Sequence, residues 1–307
     1  MILKGILDPT LNEFNWNYKK ILLNKEPYHL KDTVTIGIID SGIDITNPYL
    51  KDKIVQGRSF VSSAYTKDDT GHGTQIFGIL DNLIKGANYK FYKVMDNEIT
   101  NSLNLVKAII AAVDDGVDII NISLGIYKNS QTESDQIIIN SFKKAINYAR
   151  NNNVLIVASA GNNGLNMDEY PHIIHLPSDL EYVINVGSSD KHNDLTSYTN
   201  YGKNVNIIAP SGEWIAKDDK ILFSEMIITY GKESSFLKNN PNYNGIPKGL
   251  VLSYGTSLAP PQVAAAFAVV IDKYKNLSID EYKSIVFENS SEISHNTTKY
   301  KEIRIVY

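Results

Sequence analysis

The chain contains no cysteine. That removes disulfides, thiolate metal centres and a cysteine nucleophile from consideration. It also lacks any dense cluster of Lys and Arg, and its formal net charge is -4, so nothing points to nucleic acid as a partner. No segment approaches the roughly 18 uninterrupted apolar residues of a membrane span. The opening Met1-Ile2-Leu3-Lys4-Gly5-Ile6-Leu7-Asp8-Pro9 has no apolar stretch long enough for a secretory signal, so a cytoplasmic protein without membrane attachment is expected. Repeats, low-complexity tracts and Pro/Ser-rich linkers are missing too. With 43% hydrophobic and 21% charged residues, the 307-residue chain is read as one globular domain.

Short β-rich runs alternate with helical segments. Val34–Ile39, Tyr89–Val94, Val117–Gly125, Val154–Ala158, Tyr182–Gly187 and Asn204–Ala209 read as buried strands. Helices are expected after His72, over about Ser102–Asp115 and Ser134–Asn151, and from about Ser278 to Glu288. This alternation predicts an α/β fold with a doubly wound, mostly parallel sheet and helices on both faces. Residues 1–30 read as an irregular arm, and 212–253 as a long mixed insertion.

The chain is organised around Tyr254-Gly255-Thr256-Ser257-Leu258-Ala259-Pro260-Pro261-Gln262. No polar side chain occurs from Val263 to Ile271, which reads as a fully buried helix. Ser257 then stands where a loop meets a helix N-terminus, beside backbone N–H groups able to stabilise an oxyanion. Taken alone, an N-cap role for Thr256 or Ser257 explains the stretch as well. Asp40, at the carboxyl end of the first strand, is either a turn former or an active-site residue, since open α/β sheets place their sites there. His72, between Gly71 and Gly73, has an accessible imidazole. Asn162, in Ser159-Ala160-Gly161-Asn162-Asn163-Gly164, is explained by a plain turn or by a donor to an oxyanion. His172 and His175 have a spacing that could bind metal, but two histidines at that spacing are a weak signal by themselves.

Asp40, His72 and Ser257 occur in the order Asp, His, Ser, which is the order of subtilisin and not of chymotrypsin or the α/β-hydrolases. The chain resembles the subtilisin-like serine peptidases over nearly its whole length. Asp40-Ser41-Gly42-Ile43-Asp44, Gly71-His72-Gly73-Thr74, Asn121-Ile122-Ser123-Leu124-Gly125, Ala160-Gly161-Asn162 and Gly255-Thr256-Ser257-Leu258-Ala259 carry the match. The resemblance implies a subtilisin-like fold and a peptidase working through an acyl-enzyme. Ser257 would be the nucleophile, His72 the base, Asp40 the residue that orients the imidazole, and Asn162 an oxyanion donor with the Ser257 N–H. It also implies that Ser123, Leu124 and Gly125 pair with an extended peptide, with Ala160, Gly161 and Thr256 beside the residue before the cut. A cis Leu176–Pro177 bond is implied as well.

The departures from the family pattern are Gln75 and Gln262 in place of histidines, Leu258 in place of a methionine, and Pro260, which is expected to distort the following helix. The short Asp81–Ala87 segment and Tyr49, standing where a calcium-ligating acid belongs, imply that the strong family calcium site is missing. No metal or cofactor is therefore expected. Among subtilases of this size without signal, propeptide or cysteine, the resemblance is strongest to the lanthipeptide leader peptidases. The expected partner is a peptide, a lanthipeptide precursor, cut by a monomeric enzyme. A general degradative subtilase is the rival reading. A non-catalytic binding protein of the same fold is a weaker one, because binding needs no triad.

Overall fold

The structure is a computed structural model describing residues 5–51, 53, 55–96, 99–218, 220–232, 240, 243, 245–295 and 298–307. Nine strands form the main sheet: β1 Thr35–Asp40, β2 Gln56–Ser59, β3 Asn88–Lys93, β4 Ile119–Ile122, β5 Leu155–Ser159, β6 Val183–Ser189, β7 Ile207–Pro210, β8 Ser291–His295 and β9 Thr298–Glu302. Their spatial order is β8-β9-β7-β6-β5-β4-β1-β3-β2. Every neighbouring pair is parallel except β8 and β9. The chain runs outward from β1 in both directions, so β1 and β4 flank the topological switch point, where open α/β sheets bind their ligands.

Alternation along the strands assigns residues to faces. Ile36 and Ile38 join the core beneath helices α2 (His72–Leu83) and α5 (Pro260–Lys273), whereas Ile39 joins that of α3 (Ser102–Asp114) and α4 (Glu133–Asn151). On β5, Leu155 and Val157 face the first core and Ile156 and Ala158 the second. A sixth helix, α6 (Ile279–Glu288), opens with a capping box between Ser278 and Glu281. This is the doubly wound arrangement expected from the sequence, with strand limits shifted by a few residues.

Helix α5 is buried at every position from Pro260 to Val270. Pro260 and Pro261 fill its first two positions, where a missing N–H breaks no intrahelical bond. The expected distortion amounts to one shared acceptor: Gln262 N and Val263 N both donate to Ala259 O, at 3.1 and 3.4 Å.

The N-terminal arm is less irregular than expected. It contains α1, Trp16–Leu22, too short to show a helical period and held instead by tertiary bonds. Trp16 Nε1 donates to Met226 O and Tyr18 Oη to Ile228 O, each at 3.0 Å. Those acceptors lie in the segment read as an insertion. Within it, Ile227–Tyr230 pairs antiparallel with Leu250–Ser253 and is wholly buried; residues 233–239 of that segment lie outside the described ones. Tyr18→Phe leaves the buried Ile228 carbonyl unpaired and should lower stability by about 1–3 kcal/mol, read from the midpoint of urea unfolding.

Candidate active site

Two backbone turns build one half of the site. Asp40 ends β1 with its carboxylate buried, and His72 opens α2 from Gly71, whose φ of 78° is left-handed. A Cβ on Gly73 would lie 2.1 Å from Gly42 O, so only glycine lets the helix start press against the turn after β1. At that separation His72 Nδ1 lies 2.7 Å from Asp40 Oδ1. The same oxygen accepts from Ser41 N at 2.7 Å and Ser41 Oγ at 3.1 Å. Behind the pair sits Asp68, which accepts from Ser41 Oγ (2.8 Å), Gly71 N (2.9 Å), Thr74 N (2.8 Å) and Thr74 Oγ1 (2.6 Å). One buried carboxylate thus ties the Asp40 turn to the first turn of the His72 helix.

The other half forms around Ser257, in a single 3-10 turn, Thr256–Leu258, one step ahead of α5. The N-cap of α5 is Ala259, with no side-chain capping bond, so the capping explanation for Thr256 and Ser257 does not hold. Thr256 N and Thr256 Oγ1 donate to Asn162 Oδ1, at 2.8 and 2.6 Å. With the amide oxygen engaged, Nδ2 is the end of Asn162 left to donate outward. Asn162 Nδ2 and Ser257 Oγ both lie within 4 Å of the point a Cβ would occupy on Gly255, so the amide and the hydroxyl share one side of the turn. Gly255 N donates to Tyr198 Oη at 3.0 Å, and Gln262 Nε2 donates to Leu258 O and Pro210 O, at 2.8 and 2.7 Å. Helix α2 packs against the Thr256–Leu258 turn, which brings the two halves together.

Beyond β4, Ser123 Oγ donates to Ser257 O at 2.6 Å and accepts from Asn121 Nδ2 at 3.0 Å. Leu124 packs on the α3/α4 core, while Gly125 abuts His175. Ala160 is buried, its N–H donating to Val186 O at 2.9 Å. Gly161, at φ 102°, faces Asn200, Tyr127 and His175. The Leu176–Pro177 bond is cis, as the resemblance implied. The sequence-predicted residues therefore converge at the carboxyl ends of β1, β4 and β5. A serine hydroxyl, an imidazole held in one tautomer by a buried carboxylate, and an amide donor aimed outward can together carry out acyl transfer.

His172 is exposed, whereas His175 is buried. His175 Nδ1 is engaged with Ser178 Oγ at 2.9 Å, and among the described residues no group of three or more His, Asp or Glu could hold an ion. Sequence reasoning missed Asp68, Tyr198 and Asn200. Asp68 stands four residues before His72, and that adjacency was its only signal; Tyr198 and Asn200 reach the site by tertiary packing alone.

Residues 31–302 match the Subtilase family, Peptidase S8. The chain belongs to the subtilases. Its relatives include the nisin leader peptide-processing serine protease NisP of Lactococcus lactis subsp. lactis, 28% identical over 92% of this chain and 47% of that protein. The epidermin leader peptide-processing serine protease EpiP of Staphylococcus epidermidis is 27% identical over 85% of this chain and 65% of that protein. The chain thus spans about half to two thirds of the length of these curated relatives. The crystal structure of a lanthipeptide protease is similar with a TM-score of 0.86 and 31% identity, covering 99% of this chain and 98% of that one.

Asp68→Ala would strip several buried donors of their acceptor. It is expected to cost at least about 2 kcal/mol in urea unfolding and to slow labelling of Ser257 by a fluorophosphonate, because His72 loses its fixed position.

Proposed function

We propose that this chain is a serine endopeptidase that removes the leader from a lanthipeptide precursor. The observation that carries the reading is the Asp40–His72 contact beside a Ser257 turn whose Asn162 amide is pre-oriented by Thr256. In this reading Ser257 attacks the scissile carbonyl, and His72 takes its proton and returns it to the leaving amine. Asp40 holds the imidazole and stabilises its cation. Asn162 Nδ2 and the Ser257 N–H receive the oxyanion, and Ser123–Gly125 aligns the substrate as an added strand. The choice of a leader as substrate is supported by NisP, EpiP and the lanthipeptide protease, whose names state leader processing or lanthipeptide proteolysis.

Mass spectrometry of a lanthipeptide precursor incubated with the protein tests both parts. One cut between leader and core is expected, lost in Ser257→Ala and slowed about 10²–10³-fold in Asn162→Ala, a magnitude known from the equivalent donor of subtilisin. Casein run alongside should stay intact; many cuts in both substrates would indicate a degradative enzyme instead.

We further infer that no calcium is needed near Tyr49. Its ring stacks on Tyr230 with centroids 5.1 Å apart. Asp81, in the last turn of α2, is already engaged by Lys53 at 2.5 Å, Lys85 at 3.6 Å and Tyr230 Oη at 2.8 Å. Chelation should therefore shift the melting temperature by less than about 2 °C, below the displacement that losing 1 kcal/mol produces in a domain of this size.

A further inference from the structure

Asn162 lies exposed on the turn that follows β5. An exposed amide on a turn keeps one direction only if both its end and the backbone beneath it are fixed. Thr256 fixes the end, through Asn162 Oδ1. The backbone is fixed by residues 198–201, which run alongside residues 161–165. Gly164 N donates to Tyr198 O at 2.7 Å, Asn200 N to Gly161 O at 3.0 Å and Tyr201 N to Leu165 O at 2.9 Å. Gly161 permits the approach: at its φ of 102° a Cβ would fall 2.6 Å from Asn200 Nδ2, so a side chain there would displace that amide.

Asn200 stands at the centre of this contact and is buried. Its Nδ2 donates to Ala160 O at 2.9 Å and to Tyr127 Oη at 2.6 Å. Its Oδ1 accepts from Asn163 N and Leu165 N, each at 3.2 Å. Two N–H groups and two lone pairs are all that a carboxamide has, so its bonding capacity is fully used. The amide cannot be turned over, because Ala160 O only accepts and the two backbone N–H groups only donate. Ala160 precedes Asn162 by two residues and Asn163 follows it directly, so the bonds grip the backbone on both sides of the oxyanion donor. Tyr127, two residues past Gly125, donates from Oη to Asn163 Oδ1 at 2.6 Å. Asn200 and Tyr127 thus tie the turn that carries Asn162 to the continuation of the segment that would align the substrate.

We propose that Asn200 is the positioning residue of the oxyanion site, acting through the turn that aims Asn162 Nδ2 and not on the substrate itself. This rests on the peptidase reading above. The test is a double-mutant cycle on the rate at which a fluorophosphonate labels Ser257, since its phosphoryl oxygen takes the place of the oxyanion. Rate constants are compared for the wild type, Asn200→Ala, Asn162→Ala and the double variant, with urea unfolding showing that each is folded under the labelling conditions. Asn200→Ala is expected to slow labelling at least about tenfold, because a misplacement of about 1 Å can cost about 10²-fold. In the Asn162→Ala background the same change should slow it less than about twofold, because the group that Asn200 positions is already gone. Asn200→Ser, whose hydroxyl leaves a donor and an acceptor beside the turn, replaces the alanine variant if that one does not fold, and should show the same dependence on Asn162. Equal slowing in both backgrounds marks a general structural role and overturns the proposal, as does no slowing in either; both leave the nucleophile assignment intact. An Asn162→Ala variant labelled at the wild-type rate overturns the oxyanion assignment. A wild type that is not labelled overturns the peptidase reading instead.

Discussion

The close approach of α2 to the turn after β1 is the constraint on which the site depends. It is set where Gly73 meets Gly42 O with no room for a Cβ, and it is held by polar groups that have few alternatives. Asp68 spans the contact with both oxygens. Lys93, buried at the end of β3, donates from Nζ to Ser41 O at 2.5 Å and Lys67 O at 2.8 Å, with Asp96 at 3.2 Å. Burying such charges contributes little net stability, because desolvation offsets most of the attraction. What the charges supply is geometry: a shift of the helix start would leave several of them unpaired at once, so the His72 imidazole is kept at Asp40.

The Ser257 half follows a different logic. Its scaffold, α5, is almost featureless apolar surface and cannot by itself fix the rotation of the preceding turn. Three polar pins do so: Thr256 on Asn162, Gly255 on Tyr198, and Gln262 on Leu258 and Pro210. Gln262, a departure from the family pattern, is fully buried with two carbonyl acceptors, a role a histidine would fill differently. Function placed on rigid elements and locked by surrounding hydrogen bonds is the arrangement that keeps reacting groups in register.

These two halves were unequally legible in the sequence. The strands and the buried helix announced themselves through periodicity and apolar runs, and the order of Asp40, His72 and Ser257 carried the resemblance to the subtilases, the family to which the chain belongs. What stayed hidden are groups whose partners are remote in sequence. Tyr198 reaches Gly255 across 57 residues and Asn200 reaches Tyr127 across 73, and a lone Tyr or Asn on a loop carries no local pattern. His175 was visible but suggested only a metal pair with His172, because spacing along a chain says nothing about which ring a strand crossing will bury. The arm failed for a related reason: α1 is seven residues long and owes its existence to contacts with residues more than 200 positions away.

Those distant contacts give the segment at 212–253 a role beyond that of a surface loop. The Ile227–Tyr230 strand lies on the back of α2, where Thr229 Oγ1 donates to Gln75 O at 2.6 Å and a Cβ on Gly78 would fall 2.6 Å from Tyr230 N. The arm in turn grips that strand through Trp16 and Tyr18, while Asp272 near the end of α5 accepts from Lys31 N and Asp32 N as the chain leaves the arm. The His72 helix is therefore clamped between the Asp40 turn at its site end and the strand along its back, with the arm bracing that strand from outside. At the head of the segment Trp214 meets Tyr254, three residues before Ser257, with the rings tilted and their centroids 5.4 Å apart. One stretch of chain thus contributes buried support for the His72 helix at Ile227–Tyr230 and an aromatic surface near Ser257 at its start, so a change in that strand acts on His72 through packing, and one at the head acts on the surroundings of the serine.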